Sequence, residues 1–104
     1  VDEAFWERAA RAIHWVEPWQ RVLDFGRPPF ARWFVGAKLN SCYNAVDRHV
    51  EAGHGERFAF LYDSPLAREK RRITYRELRD HVARVAGGLR ALGVEKGDRV
   101  VIYM

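Results

Sequence analysis

The run Val100-Val101-Ile102-Tyr103-Met104 follows the turn residues Glu95-Lys96-Gly97-Asp98 and a single arginine, Arg99. It is apolar at every position and shows none of the alternation of a strand with one wet face. A run of this kind, RVVIYM over 99–104, reads as a strand buried on both faces. Such a strand needs paired neighbours at its edges and cover above and below. A strongly helical pattern immediately precedes it, so the chain predicts an α/β layer. The other strand candidates are too few and too short to complete that sheet. The sequence is therefore expected to be the front piece of a larger enzyme, an incomplete α/β unit cut at Met104.

The helical pattern before the terminal run begins at Thr74-Tyr75-Arg76-Glu77. This is a capping box, in which threonine and glutamate side chains satisfy one orphan amide each. Leu78, Val82, Val85, Ala86, Leu89 and Leu92 then recur at helical spacing, predicting a helix over 74–92 with one apolar stripe. Gly93 suits its C-terminal stop. Residues 2–14 predict a further helix, capped by Asp2, with Phe5, Trp6, Ala9 and Ile13 on one face. Residues 40–53 predict a third, with Asn40 as cap, Gly53 as stop, and Tyr43, Val46 and Val50 aligned.

Short strands are expected at 30–36, 57–63 and 71–75, the last pair joined by a hairpin-like loop over 64–70. Residues 15–29 are broken by Pro18, Gly26, Pro28 and Pro29 and read as a loop. That loop carries Trp15, Trp19, Val22, Leu23 and Phe25 and must lie on something. Three helices with short strands make the fold class α/β. The expected division is a leading helix and aromatic-rich loop over 1–36, then the start of a larger, truncated domain over 37–104.

Composition excludes several classes. With 48% hydrophobic and 31% charged residues the chain is globular, not disordered. No apolar stretch approaches the ~20 residues that span a bilayer. No secretory signal pattern opens the chain, and Val1 stands where an initiator methionine is usual, so that end is expected to be trimmed as well. A single cysteine, Cys42, excludes an internal disulfide framework and a multi-cysteine metal site. The formal charge of +4 comes from scattered arginines, with Arg68 to Arg72 as the one cluster. Arg68, Lys70, Arg71 and Arg72 offer a nucleic-acid or phosphate contact, but a solvated loop is the ordinary reading of such a run.

Motifs that would announce a complete active site are missing. The glycines are isolated apart from Gly87-Gly88 inside a helical pattern, so neither a dinucleotide fingerprint nor a P-loop is present. There is no nucleophile elbow. Cys42 and His49 are seven apart, about two turns and ~10 Å of rise, which puts them on one face without a shared hydrogen bond. His14, His49, His54 and His81 lack metal-ligand spacing. Asp47 and Arg48 are adjacent on a helix and point different ways, so local ion pairing is the better reading. Trp6, Trp15, Trp19 and Trp33 follow no repeat, which favours packing over ligand stacking.

Three stretches taken together resemble one family. PPFARWFVGAKLNSCYNAVDRHV, FLYDSP and ITYRELRDHVARVAGGLRALGVEKGDRVVIYM are similar to the N-terminal region of AMP-forming short-chain acyl-CoA synthetases, in the adenylate-forming superfamily. The likeness covers nearly the whole chain, including FWERAARAIHW at its start. PPFARWF, CYNAVDRH and YDSP look more like propionyl-CoA than acetyl-CoA synthetases.

The resemblance implies a two-step ligase using ATP, Mg2+ and CoA. A carboxylate attacks the α-phosphorus of ATP, and CoA thiol then displaces AMP from the acyl-AMP. It also implies that the phosphate loop, the ribose-holding acid, the catalytic lysine, the pocket-lining residue and the CoA-contacting arginines all match positions outside this sequence. No catalytic, cofactor-binding or metal residue is therefore expected here, no ligand is expected on this segment, and the segment alone is expected to be inactive. A cytoplasmic location is implied, or the mitochondrial matrix in a eukaryote. Its expected partners are the carboxylate, ATP and CoA of the full enzyme and the rest of its own chain, not membrane. The alternative is a non-catalytic interaction module that uses an exposed strand edge, including self-association.

Overall fold

The structure is a computed structural model and describes residues 2–103. It separates into two compact units, Val1–Arg48 and His49–Met104. The boundary lies inside a helical stretch that runs over 41–54.

In the first unit, helix α1 spans Glu3–Ala10. Asp2 caps it as expected, its carboxylate accepting from the Phe5 amide at 3.1 Å. The helix is shorter than the 2–14 pattern predicts. The amides of Arg11, Ala12 and Ile13 turn back to Arg8, Ala9 and Ala10 in tighter three-residue turns. Beyond them, side chains take the backbone groups that a longer helix would need. Arg48 donates to the Ala12 carbonyl at 3.0 Å, and Asn44 holds both the N–H and the C=O of His14.

The region 15–29, expected to be a loop, contains a strand. β1 (Arg21–Arg27) pairs antiparallel with β2 (Phe30–Val35), the latter as predicted. The prolines that argued against a strand form the turn instead, at the cis Pro28-Pro29 bond. Gly26 falls at a register shift between Asp24 and Arg27, where a β-bulge admits glycine readily. An isolated bridge between Glu17 and Lys38 extends the pairing, and the two side chains form a 2.8 Å ion pair.

The expected aromatic loop does lie on something. Trp15, Trp19 and Phe34 form a three-way cluster with ring centroids 5.4 Å apart. Phe34 has φ 49, outside the strand region, and its ring comes within 6.0 Å of its neighbour Trp33, which in regular pleating would face the other way. Trp15 also donates its indole N–H at 2.8 Å to the Ala10 carbonyl, which accepts from the Ile13 amide as well, so the ring is tied to the end of α1. Ala10 and Val46 are the buried hydrophobic residues among those described.

The helix predicted over 40–53 is present but wound differently. Asn40 caps it, its side-chain oxygen accepting from the Tyr43 amide at 2.9 Å. Tyr43–Asp47 and Val50–His54 are π turns, and Gly53, at φ 83, ends the regular winding.

The second unit holds the hairpin β3 (Phe58–Ser64) and β4 (Glu69–Thr74), antiparallel and close to the predicted spans. Thr74 opens α2 (Tyr75–Ala91) through a complete capping box. The first amides of α2 are also used: Tyr75 donates to Arg57 and Arg76 to Gly55, each at 3.0 Å. Gly93 follows the helix at φ 85. The expected turn over 95–98 closes with the Glu95 amide donating to Asp98 Oδ2 at 2.8 Å.

The terminal strand is a correction. Among the described residues, 99–103 pair with no other strand, and Met104 lies outside the described residues. The reason is the one that made the run distinctive. A strand is defined by ladder hydrogen bonds, and both two-stranded sheets here are hairpins closed on themselves. Val101, Ile102 and Tyr103 are 86%, 78% and 98% exposed. The apolar stripe of α2 is likewise open, with no buried residue along that helix.

Candidate functional site

The basic cluster sits on the β3–β4 hairpin. Lys70 pairs with Asp63 at 2.9 Å, and Arg71 pairs with Glu69 at 2.9 Å while its guanidinium lies 5.2 Å from the centre of the Tyr62 ring. Arg72 lies over Phe58 at 5.4 Å. Arg71 and Arg72 are successive strand residues and project to opposite faces. They cannot grip one phosphate together, and the acids of the hairpin answer much of the local charge. Arg68 is in the connecting turn with φ 51.

Cys42 and His49, the conceivable catalytic pair, have other partners. The thiol faces Asp47 at 3.8 Å, and the His49 ring lies 5.1 Å from Tyr75. Cys42 is exposed, and partial desolvation of its thiol, then the adjacent Asp47 carboxylate, raise its pKa above the ordinary value. That is the opposite of an activated nucleophile. His14 stacks on Tyr43 at 4.8 Å. Asp47 and Arg48 do point apart: the first meets Cys42, the second reaches Ala12 and Asn44. The four tryptophans are packing residues in part, with Trp6 set edge-on to Trp33 at 5.8 Å beside Phe34.

Two arrangements escape sequence reading. One is the Asn44 clamp on His14, which joins residues thirty apart. The other is a cavity at the β1–β2 hairpin, lined by Asp24, Gly26, Arg27, Phe30 and Arg32. Its arginines are separated along the chain, and only the bulge brings them to one face.

Among the described residues, no three His, Cys, Asp or Glu side chains converge to hold a metal ion. No helix among the described residues is long and apolar enough to cross a membrane.

Comparison with known proteins supplies what the geometry does not. Residues 2–45 match the model of the acetyl-coenzyme A synthetase N-terminus, and residues 46–104 match that of the AMP-binding enzyme family. The chain is 49% identical over 102 residues to the mitochondrial acyl-CoA synthetase short-chain family member 3 of Mus musculus, covering 98% of this chain and 15% of that protein. It is 50% identical over 101 residues to an acetyl-coenzyme A synthetase of Mycolicibacterium smegmatis, covering 97% of this chain and 11% of that one. An acetyl-coenzyme A synthetase of Streptomyces avermitilis is 49% identical over 100 residues, covering 96% of this chain and 15% of its own length. The chain thus spans a small part of the length of the relatives it matches. The resemblance read from PPFARWF, CYNAVDRH and the ITYREL–VIYM stretch is met across both family regions, and the chain belongs to the AMP-binding enzyme family, opening with the N-terminal region of the short-chain acyl-CoA and acetyl-CoA synthetases.

Proposed function

We propose that this chain serves an acid–CoA ligase that activates a short-chain carboxylate with ATP and passes the acyl group to CoA. The observation that carries the reading is the adjoining pair of family regions, 2–45 and 46–104, supported by relatives at about half identity over nearly the whole chain.

The chemistry follows from the weakness of a carboxylate as an electrophile. Its negative charge repels a thiolate. Joining it to AMP neutralises that charge and supplies a stable leaving group, with cationic groups offsetting the phosphate charge that develops. In this reading the present residues contribute scaffold rather than reacting groups, and the segment alone is inactive. Propionate is the favoured substrate over acetate, on the character of PPFARWF (28–34), CYNAVDRH (42–49) and YDSP (62–65). A cytoplasmic or matrix location accompanies the proposal.

The test is pyrophosphate release with MgATP, CoA and either propionate or acetate, run on the gene product that contains this chain and on the 104 residues alone. The reading expects turnover by the former, faster with propionate, and none by the latter. Robust turnover by the short chain overturns the scaffold assignment, and a clear acetate preference overturns the substrate.

A second reading, an interaction module, draws on Leu61 at 74% and Leu92 at 83% exposure and on the open run 100–103. Light scattering across a concentration series separates the two: a clean monomer at high concentration counts against the module.

A further inference from the structure

The tip of the β1–β2 hairpin carries an arrangement that the ligase reading does not use. Asp24 lies opposite Arg32 in the ladder, and Arg27 lies opposite Phe30. Residues directly opposite share a face, as do residues two apart on one strand. Phe30 and Arg32 are two apart, so all four residues stand on one face. In a regular strand Asp24 and Arg27, three apart, would face opposite ways. The register shift between them resets the alternation and brings Arg27 round to Arg32. The four side chains and Gly26 line one cavity of about 510 Å³, within the ~300–1,000 Å³ of small-molecule sites.

The charges in this cavity are not balanced. Asp24 Oδ1 accepts from the Gly26 amide at 3.1 Å and pairs with Arg21 at 3.5 Å, so its charge is partly offset by an arginine that does not line the cavity. Neither Arg27 nor Arg32 has a carboxylate partner among the described residues. Two guanidiniums on one face match a phosphate monoester, which carries about two negative charges at neutral pH and accepts paired hydrogen bonds from an arginine fork. At the rim, the Phe30 ring is 76% exposed. An exposed ring beside a pair of cations is a stacking platform for a planar base. Gly26 keeps the floor close: a Cβ there would meet Asp24 Oδ1 at 3.2 Å.

We propose that the face formed by Arg27, Phe30 and Arg32 binds a nucleoside phosphate, with the phosphate between the two arginines and the base on Phe30. Its test reads binding at this face and does not depend on turnover. The ligand is either a free nucleotide or the nucleotide end of a larger cofactor.

The experiment is photolabelling of the gene product containing this chain with 8-azido-AMP, followed by peptide mapping. Labelling of the peptide that contains Phe30, suppressed by inorganic phosphate, is expected. Stronger suppression by AMP than by CoA assigns the site to free nucleotide, and the reverse assigns it to the cofactor's nucleotide end. The double variant Arg27→Ala/Arg32→Ala, checked for an unchanged circular dichroism spectrum, should lose labelling there by at least about tenfold. Absence of label from that peptide, or label that phosphate does not suppress in the unmodified protein, overturns the proposal. So does equal labelling of a folded double variant.

Discussion

The side-chain amide of Asn44 grips the backbone of His14 from both sides, accepting its N–H and donating to its C=O, each at 2.8 Å. The same side chain also donates to the Asn40 carbonyl and accepts from Arg48. One residue thereby fixes where α1's trailing turn ends and where the π-wound helix lies against it.

Asn44→Ala should remove both contacts at once. The sites are exposed, so the loss is set at about 1 kcal/mol rather than the larger cost of a buried orphan. Hydrogen exchange at the His14 amide should speed several-fold, read against an unchanged rate in β3. Equal exchange in both proteins would mean the clamp holds nothing. Asn44→Asp keeps the acceptor and loses the donor, so its effect should fall between the two.

The capping box of α2 predicts a pH dependence. The Thr74 amide and hydroxyl both donate to Glu77 Oε2, at 2.8 and 3.1 Å, and Thr74's hydroxyl accepts from the Glu77 amide at 3.2 Å. The backbone hydrogen bond from Thr74, then its hydroxyl, lowers the Glu77 pKa below its ordinary value. A carboxylate with a depressed folded-state pKa adds stability above its unfolded value, and that addition is lost as pH falls through the folded value. Glu77→Gln should therefore be less stable than wild type near neutrality, with the gap in urea midpoint closing toward acid. A gap that stays constant down to about pH 3 would exclude the linkage. Thr74→Ala should cost about 1 kcal/mol.

What could be read from the sequence follows the range of the interactions. Asp2, Asn40 and Thr74 were legible as caps because each meets an amide three residues on. β1 was not, because Pro28, Pro29 and Gly26 look like breakers until β2 is known to fold back against them. The π winding of Tyr43–Asp47 leaves no periodic trace distinct from an α-helix. The run at 99–103 has every residue preference of a strand and no partner strand among the described residues. The candidate site divides in the same way. Family membership was visible in contiguous stretches such as CYNAVDRH, whereas the Arg27–Arg32 face depends on a bulge that no local pattern announces.

Cys42 should behave as a sluggish thiol. Partial desolvation, and then the neighbouring Asp47 carboxylate, hold the pKa of this exposed thiol up, leaving less thiolate at neutral pH than a free cysteine would have. Iodoacetamide alkylation should be slower than that of a small-molecule thiol, with its pH-rate midpoint displaced upward. Asp47→Asn should move that midpoint partway back, because the desolvation that is the first cause remains. A midpoint below the free-thiol value would contradict the assignment.

A single substitution type should give opposite signs at different glycines. Gly53 has φ 83, and nothing lies within 4 Å of where its Cβ would go, so any cost of alanine there is purely backbone. Placing an L-residue in that left-handed conformation costs on the order of 1–2 kcal/mol. Gly87 and Gly88 are inside α2, have no positive φ, and are equally open. Alanine at either restricts the unfolded chain and suits the helix, which should stabilise by ~0.4–1 kcal/mol. Urea unfolding of the three variants of the 104-residue chain reads this directly. A loss of stability at Gly87 or Gly88 would show that this face of α2 is not open.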